Sequence, residues 1–294
     1  MIFLEKILLI YNPNSGKKTI TTHLDKIIEI FSSADKLVTL YRIGDMNYTI
    51  EEVISSNEFD GVVVCGGDGS VNTVVKILLD TGKDIPIGVI PCGTCNDFSR
   101  SLGMPNDIVL CARLIAQGKT AKIDIGFINN ESVFVNELAG GVIVTASFST
   151  DQNLKKMFGP LAYYVTGIGE LANIKPFDIT VETEEQTYNE QALVFLVLNG
   201  TDISGFSNVI KEAQMQDGKM NILIFKDAKP LEITDTLLRF VSGTEFKEKS
   251  VTRIQTHKCK ITCPDNINTT VDGERGPSFP ITLEMKKQAI QIYC

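Results

Sequence analysis

No apolar run in the 294 residues approaches the ~20 needed to span a bilayer as a helix. The apolar start, Met1 to Ile10, lacks a basic leader and a small-residue cleavage site, and it runs directly into Tyr11-Asn12-Pro13. It reads as a first strand, not a secretion signal. Positive charge is scarce: 28 Lys and Arg stand against 36 Asp and Glu, a formal net charge of −8. That excludes wholesale nucleic-acid binding, so any bound phosphate is held by a local site. The seven cysteines form no repeating frame, which argues against a secreted disulfide scaffold. Cys259 and Cys263 have no histidine or second cysteine pair nearby, which argues against zinc. Internal repeats and low-complexity linkers are missing too. So are Gly-x-x-x-x-Gly-Lys-Ser/Thr and a Gly-x-Gly-x-x-Gly after the first strand. Those two absences exclude a P-loop protein and weaken a Rossmann dinucleotide reading. What remains is an ordinary globular composition, 43% hydrophobic and 22% charged, of a length that suggests two domains. A cytoplasmic protein is expected, in contact at most with the inner face of a membrane.

The first ~125 residues alternate short apolar runs with helical spacing. Ile7–Ile10, Lys36–Leu40, Gly61–Val64 and Ile87–Ile90 read as strands. Leu24, Ile27, Ile28 and Phe31 fit a helix face, as do Val71, Val74, Val75, Leu78 and Leu79, and Val109–Ile115. Repeated βα units predict a doubly wound, Rossmann-like parallel sheet, with ligands at the carboxyl ends of its strands. From about Ile123 the pattern changes to short strands, at Val133–Val135, Gly141–Val144, Ile179–Glu182, Leu193–Leu198, Met220–Phe225, Lys260–Cys263, Thr269–Val271, Ile281–Met285 and Ala289–Tyr293. Helices are expected at Leu154–Leu171 and Leu231–Val241. The division is therefore 1–125, an α/β domain, and 126–294, an antiparallel β-sandwich or open barrel whose last strand can return to the first domain.

Two loops stand out. Residues 65–70 read Cys-Gly-Gly-Asp-Gly-Ser and residues 91–97 read Pro-Cys-Gly-Thr-Cys-Asn-Asp. Each follows a predicted strand and opens a helix. Glycine lets main-chain N–H groups approach an anion, and the helix dipole favours negative charge there. A carboxylate beside phosphates is costly unless it meets a cation, so Asp68 suggests Mg²⁺. Ser70 is placed as a helix N-cap, with Asn72 in the first turn. Late in the chain, Asp272 and Glu274 are two apart on a segment read as extended, which puts both on one face. A carboxylate of this kind can take a hydroxyl proton, and spacing does not choose between the two.

Asn12-Pro13-x-Ser15-Gly16, Gly66-Gly67-Asp68-Gly69-Ser70-x-Asn72, Gly93-Thr94-x-Asn96-Asp97-Phe98 and Asp272-Gly273-Glu274 together resemble the motif series of the diacylglycerol kinase catalytic family. The chain is most similar to the bacterial soluble lipid kinases, and the match covers nearly its whole length. The resemblance implies an N-terminal nucleotide domain like that of NAD kinases and phosphofructokinases, a C-terminal β-sandwich, and ATP between the two. It implies that Asn12, Ser15 and Gly16 form the first nucleotide loop. Gly67, Asp68, Gly69, Ser70 and Asn72 would contact phosphates, and Thr94 would join them with support from Asn96 and Asp97. Glu274 would accept the proton, with Asp272 in the same pocket. A structural Mg²⁺ is implied at Asp217-Gly218, with the carbonyls of Gln214 and Lys219. The activity implied is ATP- and Mg²⁺-dependent phosphorylation of diacylglycerol to phosphatidate. A sphingoid base or another glycerolipid is the alternative acceptor, and an inactive nucleotide-binding regulator the alternative class. Homodimerisation is left open.

Three departures stand against the pattern. Cys95 sits where the family has a small residue, Asn199–Gly205 is poor in glycine, and little chain follows Tyr293. Leu154–Tyr164 joins Lys155 and Lys156 to Phe158, Leu161 and Tyr164, so it is a candidate rim for docking on an anionic membrane where the lipid substrate is presented. The same residues equally suit a core face with solvated lysines. Cys92 and Cys95 have thiol–disulfide spacing. The nucleotide motifs explain the segment without redox chemistry, and the expectation kept is that oxidation of the pair stiffens the second loop.

Overall fold

The computed structural model describes residues 4–16, 19–44, 47–141, 175–203, 209–210, 213–228, 249–264 and 267–294, with single positions 232, 235, 236, 239, 244, 246 and 247. The candidate docking segment Leu154–Tyr164 and the whole predicted helix Leu154–Leu171 lie outside the described residues. Among those described, no helix is long and apolar enough to cross a membrane.

The chain forms two compact units, Met1–Asp124 with Lys287–Cys294, and Ile125–Lys286. The first contains β1 (Glu5–Tyr11), α1 (Ile20–Ser32), β2 (Lys36–Arg42), α2 (Ile50–Ser56), β3 (Gly61–Gly66), α3 (Asp68–Thr81), β4 (Ile87–Pro91), α4 (Asp97–Ser101) and α5 (Ile108–Ala116). Its strands pair in parallel in the order β2-β1-β3-β4. Ile7–Tyr11 of β1 and the whole of β3 run without polar alternation because both of their faces are covered. Ile7, Leu9, Val63 and Cys65 share one cluster with Ile20, Ile27 and Phe31 of α1 and Cys111 and Ile115 of α5. Helices α2 and α3 pack against each other. The spacing of apolar residues gave no sign of α2. It is nucleated locally by a capping box, in which Thr49 Oγ1 accepts from Glu52 N–H at 3.1 Å and Glu52 Oε2 accepts from Thr49 N–H at 2.7 Å.

This strand order reverses direction between β1 and β3. In open parallel sheets ligands bind at that reversal, outside the carboxyl ends of the strands. The loops after β1 and β3 flank it.

The second unit is antiparallel. It begins within β5 (Thr120–Ile128), followed by β6 (Ser132–Phe134), β7 (Glu137–Gly141), β8 (Phe177–Thr183), β9 (Thr187–Leu198), β10 (Met220–Lys226), β11 (Val251–Thr256), β12 (Lys258–Thr262), β13 (Thr269–Val271), β14 (Glu274–Arg275) and β15 (Ile281–Tyr293). The long strand β9 changes partners along its length. Residues 187–192 pair with β8, and residues 194–198 pair with β7 on one edge and β10 on the other. Phe195 and Val197 face one core with Ile179, Ile222, Ile261 and Leu283, while Leu196 and Leu198 face a second with Ile203, Ile210 and Leu223. That two-sided burial explains why 193–198 shows no polar alternation.

Of the strand read at Gly141–Val144 only Gly141 is among the described residues, where it ends β7 (Glu137–Gly141). Glycines hid the start of β7: the Phe195 ring lies 2.1 Å from where a Cβ on Gly140 would stand, so the strand carries glycine to admit the ring. The two strands read at 281–285 and 289–293 are one, β15. The polar Lys286-Lys287-Gln288 interrupts the pattern, but Gln288 continues the strand in the left-handed region (φ 51) while its N–H donates to Asp124 Oδ1 at 2.8 Å.

Candidate active site

In the first unit three loops meet at the carboxyl edge of the sheet. A Cβ on Gly16, which has φ +48, would lie 2.2 Å from the Cys92 carbonyl oxygen. A Cβ on Gly93 would lie 2.5 Å from the Gly67 Cα. The main chains of residues 16, 67 and 92–93 therefore touch, and only glycine permits it. Asn12 N–H donates to Cys65 O at 3.2 Å, and Cys92 N–H to Gly66 O at 2.9 Å, so the pairing of β1, β3 and β4 continues into the loops. Asn12 Oδ1 accepts from Asn14 N–H at 2.9 Å, and Ser15 N–H donates to Asn12 O at 3.1 Å. These bonds turn the first loop back over the sheet edge.

Helix α3 starts three residues earlier than its sequence suggests. Its N-cap is Gly67, with no side-chain cap, and Ser70 sits inside the first turn against Gly66. The predicted N-cap role of Ser70 is thus corrected: the position needs extended backbone close to another loop, which glycine supplies. An uncapped helix start carrying glycines is a site for an anion. Asn72, two positions after Ser70, is buried.

Asp68 ties the second and third loops together, with its Oδ1 accepting from Phe98 N–H at 3.0 Å. Asn96, left-handed at φ 54, closes the 93–96 turn by accepting from Gly93 N–H at 2.7 Å and donating to Gly93 O at 3.2 Å. Asp97 is buried and paired with Arg100. Asn96 and Asp97 shape the loop, and Thr94 is exposed at its tip. A half-buried carboxylate beside an uncapped, glycine-rich helix start fits Mg²⁺, which takes one or two protein carboxylates and otherwise phosphate and water.

Burial works against redox chemistry at Cys92 and Cys111. Cys92 is buried, and burial pushes its thiol up to about 11, while burial and nearby Asp107 push Cys111 up to about 12. Cys259 and Cys263 are likewise raised to about 12 by burial. Reactive thiols are shifted the other way. At pH 8 only about one Cys92 in a thousand is a thiolate on that basis. Iodoacetamide is therefore expected to label the exposed Cys294 well before Cys92 in native protein, read by peptide mass spectrometry. Equal labelling rates refute the assignment.

In the second unit Asp272-Gly273 is not extended. Both residues have positive φ (48 and 85), and Val271 pairs with Glu274 across them. They are the two central residues of a tight hairpin turn of the type that Asp-Gly favours. The expectation that Asp272 and Glu274 share one strand face is corrected on this ground. Asp272 is half-buried and Glu274 exposed. Val135 N–H donates to Asp272 Oδ2 at 2.8 Å, and Asn136 and Glu137 N–H donate to Oδ1 at 2.9 and 2.8 Å.

Asp217 also stands in a turn. Its Oδ1 accepts from Lys219 N–H at 2.8 Å and its Oδ2 from Gln255 Nε2 at 3.4 Å, with Gly218 at φ 76. Gln214, three residues before Asp217, is exposed. A turn leading into β10 accounts for these contacts. Among the described residues no cluster of three or more His, Cys, Asp or Glu side chains could hold a metal ion. A cation here is left to Asp217 and main-chain carbonyls.

The buried amides around Asp272 had no signal in the sequence. Asn199 Nδ2 donates to Val135 O at 2.9 Å, and Asn136 Nδ2 to Asp202 O at 2.9 Å. They become visible only when β7 and β9 pair.

Residues 6–128 match the model of the diacylglycerol kinase catalytic domain, and residues 138–294 match that of the YegS C-terminal NAD kinase beta sandwich-like domain. A diacylglycerol kinase of Staphylococcus epidermidis is 32% identical over 288 residues, covering 97% of this chain and 90% of that one. That of Bacillus subtilis (strain 168) is 29% identical over 276 residues, covering 92% and 90%. A solved structure from Bacillus anthracis str. Sterne is similar with a TM-score of 0.83 at 25% identity, covering 98% of this chain and 95% of its own. With a family model matched in each half and a relative above 30% identity running nearly end to end, the chain belongs to the diacylglycerol kinase family.

Proposed function

We propose that this protein is an ATP- and Mg²⁺-dependent lipid kinase that moves the γ-phosphoryl group of ATP to the hydroxyl of diacylglycerol, giving phosphatidate. The observation that carries the reading is the convergence of three glycine loops at the point where the sheet reverses strand order. Phosphoryl transfer asks a protein mainly for positioning and charge neutralisation. The amides of 67–69 and 93–94, with Asn12, Ser15, Gly16, Ser70 and Asn72, position the nucleotide. Asp68 holds Mg²⁺, which, when bound, offsets charge on the phosphoryl oxygens. A second, structural Mg²⁺ is assigned to Asp217 with the carbonyls of Gln214 and Lys219. Glu274 orients the acceptor hydroxyl and takes its proton. The family name of the relatives supports diacylglycerol as the acceptor.

The test is transfer from γ-labelled ATP to lipids in mixed micelles, with and without Mg²⁺. Diacylglycerol, monoacylglycerol and a sphingoid base are offered side by side. Labelled phosphatidate, abolished by chelation, is expected. Label confined to another lipid moves the acceptor. ATP binding without transfer to any lipid overturns the reading.

A further inference from the structure

We propose that Asp272 is a positioning residue, whose carboxylate clamps the 135–137 main chain to the β13–β14 turn and so fixes where Glu274 points. This deepens the functional reading above and rests on it for the role of Glu274.

Both carboxylate oxygens of Asp272 are engaged by main-chain donors, Oδ1 by two and Oδ2 by one. The fourth strut is Asp272 N–H, which donates to Glu137 O at 2.9 Å. A general base must reach the substrate proton with an available oxygen. Asp272 instead spends its oxygens on holding backbone. Its left-handed φ and the following glycine make the turn, and Glu274 is the first residue after it. Whatever sets residues 271–273 sets the exit direction of Glu274.

The clamp continues into the end of β9. Asn199 N–H donates to Asn136 O at 2.9 Å, and its Nδ2 donates to Val135 O at 2.9 Å. Asn136 Nδ2 reaches Asp202 O at 2.9 Å, and Asp202 Oδ1 accepts from Thr201 Oγ1 at 2.9 Å. Asn136, Asn199 and Asp202 are only 4%, 0% and 4% exposed, so these bonds are sheltered from competing water. One hydrogen-bonded chain thus runs from the Glu274 hairpin through 135–137 to residues 199–202. The glycine-poor stretch that begins at Asn199 and the hairpin that carries Glu274 are held to one piece of main chain.

The proposal separates two kinds of substitution. Asparagine keeps the turn and one acceptor oxygen, whereas alanine keeps neither. In the full-length protein, Asp272→Asn is expected to retain kcat within about threefold, and Asp272→Ala to lose about 30-fold, a graded pattern suited to lost hydrogen bonds. The shape of the pH–kcat profile stays that of wild type in Asp272→Asn. Amide exchange at Val135, Asn136 and Glu137 is expected to speed up at least tenfold in Asp272→Ala and less in Asp272→Asn. If Asp272 were the base, both variants would be equally inactive, by about 100- to 10,000-fold, and the profile would lose a limb. Either result overturns the proposal. So does unchanged exchange at 135–137 in Asp272→Ala or, where that variant does not fold, in Asp272→Asn. The exchange arm needs no turnover. Faster exchange in a protein that phosphorylates no lipid keeps the clamp and discards the functional reading alone.

Discussion

Glutamine in place of Glu274 is expected to lower kcat about 1,000-fold while leaving the KM for ATP within about twofold, the pattern of an interaction made only in the transition state. The change is nearly isosteric. Glutamine can still orient a hydroxyl through its oxygen, but it cannot take the proton. Glu274 meets Val271 through main-chain pairing, so β14 and the turn before it survive. Its side chain is exposed and no core contact is lost. A 1,000-fold loss corresponds to about 4 kcal/mol of transition-state stabilisation, in the middle of the range that general-base catalysis supplies. Nucleotide affinity is read separately by titrating a non-hydrolysable ATP analogue. The loops proposed to position ATP, residues 12–16, 67–72 and 93–97, lie in the other unit, so that affinity is expected to hold. Residual kcat within tenfold of wild type removes Glu274 as the proton acceptor.

Much of the first unit was legible because its determinants are local. β1 and β3 are apolar runs, α3 has a periodic face, and the glycine loops sit where those runs end. Even there, α2 stayed hidden, because its signal was the Thr49–Glu52 capping box and not a face. The second unit was harder. Strands β7 and β9 are defined by what pairs across them, and Gly140 is glycine because of Phe195, 55 positions later. The candidate site divides in the same way. That Asp68 stands at a helix start could be read from Gly-Gly-Asp-Gly, but not that it holds Phe98 N–H. That Asp272 precedes a glycine could be read as well. Its engagement with residues 135–137 belongs to pairing over more than 130 positions, which no local pattern carries.

The contact between the second and third loops gives the other large expectation. In Gly93→Ala the new methyl would stand 2.5 Å from Gly67 Cα and 2.7 Å from Asn96 Oδ1. The first neighbour is main chain and cannot rotate away. The second is the acceptor for Gly93 N–H, so moving it opens the 93–96 turn. Either way the two loops must part by about 1 Å, and a misplacement of that size costs about 100-fold where geometry carries the catalysis. The KM for ATP is expected to rise at least that much. The melting temperature should fall by a few degrees, since overpacking costs about 1–3 kcal/mol and each kcal/mol is worth roughly 2–4 °C in a domain of 150–250 residues. Gly69→Ala supplies the steric comparison. A Cβ there meets nothing within 4 Å, and the residue lies within α3, so its melting temperature should hold or rise. If Gly93→Ala binds the ATP analogue as wild type does, the loop–loop contact is only a packing detail of the sheet edge. If binding fails while the protein still melts cooperatively, the two glycine loops act on the nucleotide as one surface.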